Sequence, residues 1–213
     1  MKTAIRDCSA SLRTLLQSEL EHDIDLSPYF NPLDPAPDAI GTMGVSLNNP
    51  EEFRDADLEG VSIWLYLVER DPETLNQPQR RYAADQLTQR PLPLRLHYLV
   101  TPQVDHKKRA AATELEQLVL GKILQVFYDT VSLTAGRLVN TLSGRPFEFF
   151  VRLEPLSLEQ ITRVWDALDR PYELCVSYEV SIVPIESAMQ PERIVPVDVA
   201  MPQMGLARLL EEA

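Results

Sequence analysis

The sequence contains three histidines, the residue type that can take part in the widest range of reactions near neutral pH. His97 stands in an alternating stretch, where an imidazole could act as a general base or a metal ligand. Alternation places His97 on the polar side of a strand, so we expect a half-exposed residue without a catalytic role. The spacings H-E-x-x-H and C-x-x-C are absent. The sequence therefore predicts no metal site.

A basic run from His106 to Arg109 is the tightest cluster of cations. It could contact an acidic partner, although such a run is more often a solvated helix start. The pair Gly121-Lys122 suggests a phosphate loop, but that motif needs a glycine five positions earlier, where Glu116 stands. Neither G-x-G-x-x-G nor G-x-S-x-G occurs. We therefore predict no phosphate loop, no serine nucleophile and no cofactor.

The amino-acid composition excludes further classes of function. Net charge is −12 and only 7 of 213 residues are glycine, which disfavours a nucleic-acid partner and close backbone approach to phosphate. No apolar run approaches the roughly 18 residues that span a membrane. Cys8 and Cys175 fall inside apolar patterns, which indicates buried thiols in a reducing compartment. With 32 carboxylates, adjacent acidic pairs indicate a charged surface better than a catalytic dyad.

Apolar periodicity predicts the elements that must position these residues. Spacings of three and four predict helices over 4–21, 107–129 and 158–170, the last opened by a capping box of Ser157 and Gln160. Apolar or alternating runs predict strands over 61–68, 93–100, 147–153 and 172–185, with a short one near 45–47. Prolines between Pro28 and Pro37 predict an extended loop. The connector over 71–90 has no assigned structure.

This order predicts an α+β fold with one domain over residues 1–186 and a proline-punctuated C-terminal arm over 187–213. We expect one mainly antiparallel or mixed β-sheet, with the helices packed on one face. The prolines number 17, fall mostly at element boundaries and spare the long helix.

Three stretches together resemble one known family, over most of residues 4–186. They are Ile5–Leu16, Pro91–Thr101, and the run from Val151 through Trp165 to Val180. In this order and spacing they resemble the DUF4255 family, the N-terminal domain of Pvc16/Afp16-type cap proteins. Those proteins close the distal end of extracellular contractile injection systems, which are phage-tail-like particles.

The resemblance implies a phage tail-terminator-like fold, a homohexameric ring, and a position on the inner tube and sheath. It implies a structural protein without catalytic residues, assembled in the bacterial cytoplasm and then carried on the particle. Partners would be the chain itself, the tube protein and the sheath protein. Two alternatives stay open: a tail terminator or adaptor ring of a related assembly, and an enzyme whose carboxylate site the motifs do not reveal.

The arm supplies the candidate partner contacts. A terminator needs a surface for its neighbour and another for the tube, and apolar arms can supply such contacts by strand addition. We expect the arm to pack on a neighbouring subunit or on the last sheath layer; the alternative is an arm folded on its own domain, or disordered. The candidate interface residues are Ile194, Val195, Val197, Val199, Leu206 and Leu209.

Overall fold

The computed structural model describes residues 2–33, 43–74, 80–83, 86–88, 90–190 and 192–193. Its helices are α1 (Ala4–Glu21), α2 (Ser27–Phe30), α3 (Pro50–Asp55), α4 (Ala112–Asp129) and α5 (Leu158–Asp166), with a 3-10 turn at Asn140–Leu142. Its strands are β1 (Gly44–Ser46), β2 (Gly60–Arg70), β3 (Arg80–Ala83), β4 (Gln86–Thr88), β5 (Leu92–Gln103), β6 (Ser132–Leu133), β7 (Phe149–Glu154), β8 (Val176–Ile185) and β9 (Glu192–Arg193).

Six strands form one mixed sheet in the order β1-β2-β5-β8-β7-β6. The β1–β2 pair is parallel and the other pairs are antiparallel. Strands β3, β4 and β9 form a separate three-stranded sheet, so the connector over 71–90 contains a hairpin. The predicted α+β class and the mixed sheet are confirmed. The domain boundary at residue 186 stays a prediction.

Helices α1 and α4 cover one face of the sheet and build the main core. Each carries buried apolar residues three and four positions apart, which form a continuous stripe on an α-helix. Each fully buried large apolar side chain contributes about 1.5–3 kcal/mol. The cluster includes Cys8, Leu12, Leu16 and Leu20 of α1, Val119, Ile123 and Phe127 of α4, and Ile63, Leu96, Tyr98, Val151, Tyr178 and Val180 of the sheet.

Helix α5 packs on the opposite face, so the expectation of helices on one face only needs correction. Alternation along β5 points Leu99 away from Tyr98, and Leu99 is fully buried. Trp165 of α5 covers Leu99, and the Trp165 indole N–H donates to Cys175 Sγ at 3.4 Å. An apolar residue on the polar side of a strand must be shielded from water by another element, and α5 shields Leu99.

Helix starts follow their local signals. The Ser157 hydroxyl accepts from the Gln160 amide N–H and the Gln160 side chain accepts from Ser157 N–H, which confirms the predicted capping box. A second box joins Asn49 and Glu52 at α3. Pro28 occupies the first turn of α2, where a missing N–H costs nothing, so this end of the predicted loop is helical. Residues 34–37 of that prediction lie outside the described residues.

The junction between β1 and β2 depends on glycine. Gly60 has φ of +132°, a conformation that L side chains rarely adopt. A Cβ atom at Gly60 would lie 2.1 Å from the carbonyl oxygen of Gly44, its partner in β1. The two strands can approach this closely because residue 60 carries no side chain.

Candidate assembly surfaces

The candidate interface residues Ile194, Val195, Val197, Val199, Leu206 and Leu209 lie outside the described residues, which end at Arg193. Their role therefore stays a prediction. The other candidates from the sequence are described, and most of them are internal supports of the fold.

His97 lies in a buried polar network, so the prediction of a half-exposed residue is wrong. Its side chain is 6% exposed, and Nδ1 lies 3.1 Å from Oε2 of Glu154. The same Oε2 accepts from Ser177 Oγ at 2.7 Å and from Tyr66 OH at 3.1 Å. The four side chains come from β2, β5, β8 and β7, and Tyr66 reaches the network as the extra residue of a β-bulge. Four neighbouring strands therefore meet at one carboxylate.

The network lacks the order of a catalytic triad. In a triad the imidazole bonds the nucleophilic hydroxyl and the carboxylate holds the imidazole. Here the carboxylate of Glu154 lies between Ser177 and His97. Burial alone would raise the pKa of Glu154, but hydrogen bonds from Ser177 and His97 outweigh it and lower the pKa. Glu154 is therefore an anionic acceptor that ties strands together.

A second cluster holds the segment after β2. Asp71 is 1% exposed and accepts from Thr74 Oγ1 at 2.6 Å and from Arg95 Nε at 2.7 Å. The Thr74 hydrogen bond, followed by that from Arg95, outweighs burial and lowers the pKa of Asp71. This cluster fixes the chain where it leaves the large sheet.

The basic run is part of a folded turn rather than a helix start. Helix α4 begins at Ala112, and the carbonyl of Asp105 accepts from the backbone N–H groups of Lys108 and Arg109. The Arg109 side chain is 4% exposed and donates to Glu59 Oε2 through Nη2 at 3.1 Å. Lys108 Nζ lies 2.7 Å from Asp57 Oδ1. Arg109 is thus engaged inside the fold, whereas Lys108 and His106, whose Nε2 lies 3.1 Å from Glu116 Oε1, make surface contacts. The run precedes α4, which corrects the prediction of a solvated helix start.

Asp7 joins α1 to the 3-10 turn. Its side chain is fully buried and accepts from the backbone N–H and hydroxyl of Thr141, and from Arg6 Nε at 2.9 Å. Burial alone would raise the pKa of Asp7, but the hydrogen bonds from Thr141 and Arg6 outweigh it and lower the pKa. The native state therefore holds Asp7 as an anion to lower pH than the unfolded chain does.

We expect Asp7→Asn to lower the free energy of unfolding at pH 7 by about 1–3 kcal/mol, because hydrogen bonds to a charged acceptor are lost. The folded pKa lies below the unfolded one, so this contribution is full above about pH 4 and disappears as the pH falls through the folded pKa. Urea unfolding at pH 7, 5 and 3 measures it. The gap between parent and variant should shrink at pH 3, while Asp25→Asn, an exposed control, should show no comparable gap.

The described carboxyl groups with a displaced pKa argue against acid–base catalysis. Asp7, Asp23, Asp71, Asp105 and Glu154 are all lowered. A general acid working near neutral pH needs a raised pKa. Within the described ranges, these groups are suited to holding hydrogen bonds rather than to transferring protons.

An apolar opening lies between the end of α4 and strand β7, and we call it the α4–β7 groove. It has a volume of about 820 Å³. Buried Val151 and Tyr178 line it together with Tyr128, Val131 and Leu153, which are 82%, 56% and 54% exposed. Neighbouring exposed apolar side chains mark a contact surface better than isolated ones do. Sequence reasoning missed this groove, because it depends on which strand α4 ends beside.

Both cysteines are free and buried, as predicted. Burial raises the pKa of Cys8 to about 12, so this thiol is inert at physiological pH. In the described part of the chain, no group of three or more His, Cys, Asp or Glu side chains is arranged to hold a metal ion. A helix of the length and apolarity needed to cross a bilayer is likewise not found among the described residues.

The architecture is that of the tail-terminator-like α+β domains. A cryo-EM structure of a PVC sheath/tube terminator, from an extracellular contractile injection system in the extended state, superposes with a TM-score of 0.58. At 18% identity, the match covers 92% of this chain and 61% of that chain. The anti-feeding prophage cap, a tube-terminating cap, gives a TM-score of 0.53 at 16% identity, covering 88% of this chain and 58% of that one.

The particular family follows from the sequence match. Residues 7–198 match the Pvc16 N-terminal domain, and the chain belongs to that family. The resemblance first noted in the three stretches is thereby confirmed. The chain spans about three fifths of the length of the two similar structures. No curated protein matches it.

Proposed function

We propose that this protein is a structural tail terminator of an extracellular contractile injection particle, where it forms a hexameric ring that ends the inner tube and anchors the sheath. The observation that carries the proposal is the family match over residues 7–198. The fold shared with a sheath/tube terminator and a tube-terminating cap supports it. The hydrogen-bonded, anionic carboxylates favour a structural role over an enzymatic one.

The physics of tube growth explains what such a ring must do. A tube grows by stacking rings through a head-to-tail contact that does not close by itself. A terminator must match the last ring on one face and offer no equivalent surface on the other. With a charge of −12 on each chain, a hexamer carries about −72, which keeps it soluble and demands complementary partners.

The arm contributes to this assembly in our proposal. Ile194, Val195, Val197 and Val199 would form an added strand, and Leu206 and Leu209 a short apolar helix face. These side chains would then make contacts between subunits or to the sheath.

Assembly with the tube and sheath proteins tests the function. Native mass spectrometry should detect a hexamer of 24.2-kDa chains, alone or on tubes, and electron microscopy should show six-fold rings at one tube end. Tubes assembled with the protein should be shorter and closed, compared with tubes assembled with an unrelated protein of similar negative charge. A chain that stays monomeric with tubes present and leaves their growth unchanged would overturn the proposal.

A further inference from the structure

Strand β7 has an open outer edge beside the α4–β7 groove. It pairs with β8 from Phe150 to Glu154, but with β6 only at Phe149 and Phe150. One more hydrogen bond joins Val151 N–H to the carbonyl of Val131. Alternate residues of an antiparallel ladder point their backbone groups to the same side, so Leu153 presents its N–H and C=O to the side that no described strand occupies. An open edge of this kind is a template for another strand.

We propose that this edge and groove bind residues 194–199 of a second copy of the same chain, which adds as a strand beside Leu153. The proposal rests on the ring proposed above and names the contact that joins its subunits. An apolar groove needs apolar side chains at alternate positions of the added strand. The segment Ile-Val-Pro-Val-Asp-Val supplies Val195, Val197 and Val199 on one side.

Pro196 fits the geometry of such a strand. A proline cannot donate a hydrogen bond, so strands tolerate it only where its nitrogen points away from the ladder. If residues 195, 197 and 199 direct their backbone groups to β7, Pro196 directs its nitrogen outward. Asp198 then falls on the side opposite the valines, away from the apolar groove.

The proposed ring favours a second copy over the chain's own groove, because a closed ring of identical chains needs a contact between two different surfaces of each chain. The segment follows Arg193, which belongs to the separate sheet of β3, β4 and β9 and not to the six-stranded sheet that carries the groove. The described chain ends at Arg193, where β9 pairs with β4, and β4 joins β5 near Leu92.

The contact joins two different surfaces of the chain: the segment that follows Arg193 and the α4–β7 groove. Contacts of this head-to-tail type generate closed rings when the rotation between copies closes.

Disulfide trapping between full-length chains tests the proposal. One chain carries Leu153→Cys, the other carries Val197→Cys with a different tag, and the two are co-expressed and oxidised. The native thiols are buried and do not compete. We expect a covalent dimer of the two tagged chains. Leu67→Cys is the matched control, because Leu67 is 41% exposed and lies on the opposite sheet face, paired with His97.

A charge at the groove gives a second, reversible readout. Leu153→Asp should raise the subunit dissociation constant at least tenfold and leave the monomer's thermal midpoint within about 2 °C, because Leu153 is half exposed. Leu67→Asp should leave the dissociation constant within twofold of the parent.

The outcomes separate this inference from the proposed function. A ring whose Leu153→Cys and Val197→Cys chains crosslink no better than the Leu67→Cys control overturns the inference and leaves the terminator role standing. A double variant that crosslinks only within one chain, or a strictly monomeric protein, also overturns it. Efficient crosslinking between copies that never cap a tube supports the inference and overturns the terminator role.

Discussion

Glu59→Gln is expected to lower the free energy of unfolding by about 3–5 kcal/mol, because it removes one member of a buried ion pair. Arg109 is 4% exposed and Glu59 is 9% exposed, so the variant removes a charged acceptor from a contact that is shielded from water. The amide oxygen of the variant can still accept from Asp105 N–H, as Glu59 Oε1 does at 2.9 Å, so the loss falls on the contact with Arg109. Chemical denaturation at pH 7 measures it.

Two comparisons make this prediction specific. Glu159→Gln breaks an exposed ion pair with Arg163, whose side chains are 75% and 76% exposed, and should cost less than about 0.5 kcal/mol. The double variant Glu59→Gln with Arg109→Met removes both buried charges. Its loss in free energy of unfolding should be smaller than the sum of the losses in the two single variants. A loss at Glu59 no larger than that at Glu159 would contradict the prediction.

Gly60→Ala is expected to destabilise the protein by about 3 kcal/mol or more, the sum of backbone strain and steric overlap. The added methyl would lie 2.1 Å from the oxygen and 2.6 Å from the nitrogen of Gly44. Backbone atoms cannot rotate away as a side chain does, so β1 must separate from β2. Thermal and urea unfolding measure the effect, and hydrogen exchange should show faster opening at residues 44–46.

Gly121→Ala is the matched control for the glycine prediction. Gly121 lies in the middle of α4, and a Cβ atom there would meet nothing within 4 Å. Alanine is favoured over glycine inside a helix by about 0.5–1 kcal/mol, so this variant should be more stable than the parent. The same substitution at two glycines should therefore have opposite signs; equal signs would show that the Gly44–Gly60 contact relaxes.

Local periodicity predicted most of the elements from the sequence. The predicted helix over 4–21 corresponds to Ala4–Glu21, and the strand over 61–68 lies within Gly60–Arg70. These predictions succeed because an apolar stripe needs only neighbouring residues to specify it. The capping box at Ser157 succeeds for the same reason, since both partners lie within four residues.

Long-range pairing is what local patterns could not supply. His97 was expected to be half exposed because its strand neighbours alternate, yet Glu154, 57 residues away, completes its burial. The periodicity predicts a helix that includes most of the basic run, since no local pattern shows that Arg109 pairs with Glu59, 50 residues earlier. Local patterns also do not predict that α5 covers a second face of the sheet, because a single apolar residue of β5, Leu99, indicates that face.

The candidate interface was predictable only in part. Alternation along the arm predicts a strand that pairs with another strand, but no sequence pattern indicates where that other strand lies. The groove arises because β6 is only two residues long and leaves the outer edge of β7 open beyond Val151. Strand length is set by where the chain turns, and the turn after α4 carries no strong sequence signal.

The meeting of four strands at Glu154 also has a mechanical consequence. A strand that slides by one residue turns its side chains to the other face of the sheet. Sliding β7 against β8 would therefore pull Glu154 away from Ser177, His97 and Tyr66 together. The network links the four strands and so resists the sliding of one strand along another. In the proposed terminator, the contracting sheath would apply load along its axis, and a sheet whose strands cannot slide would carry that load without a change of register.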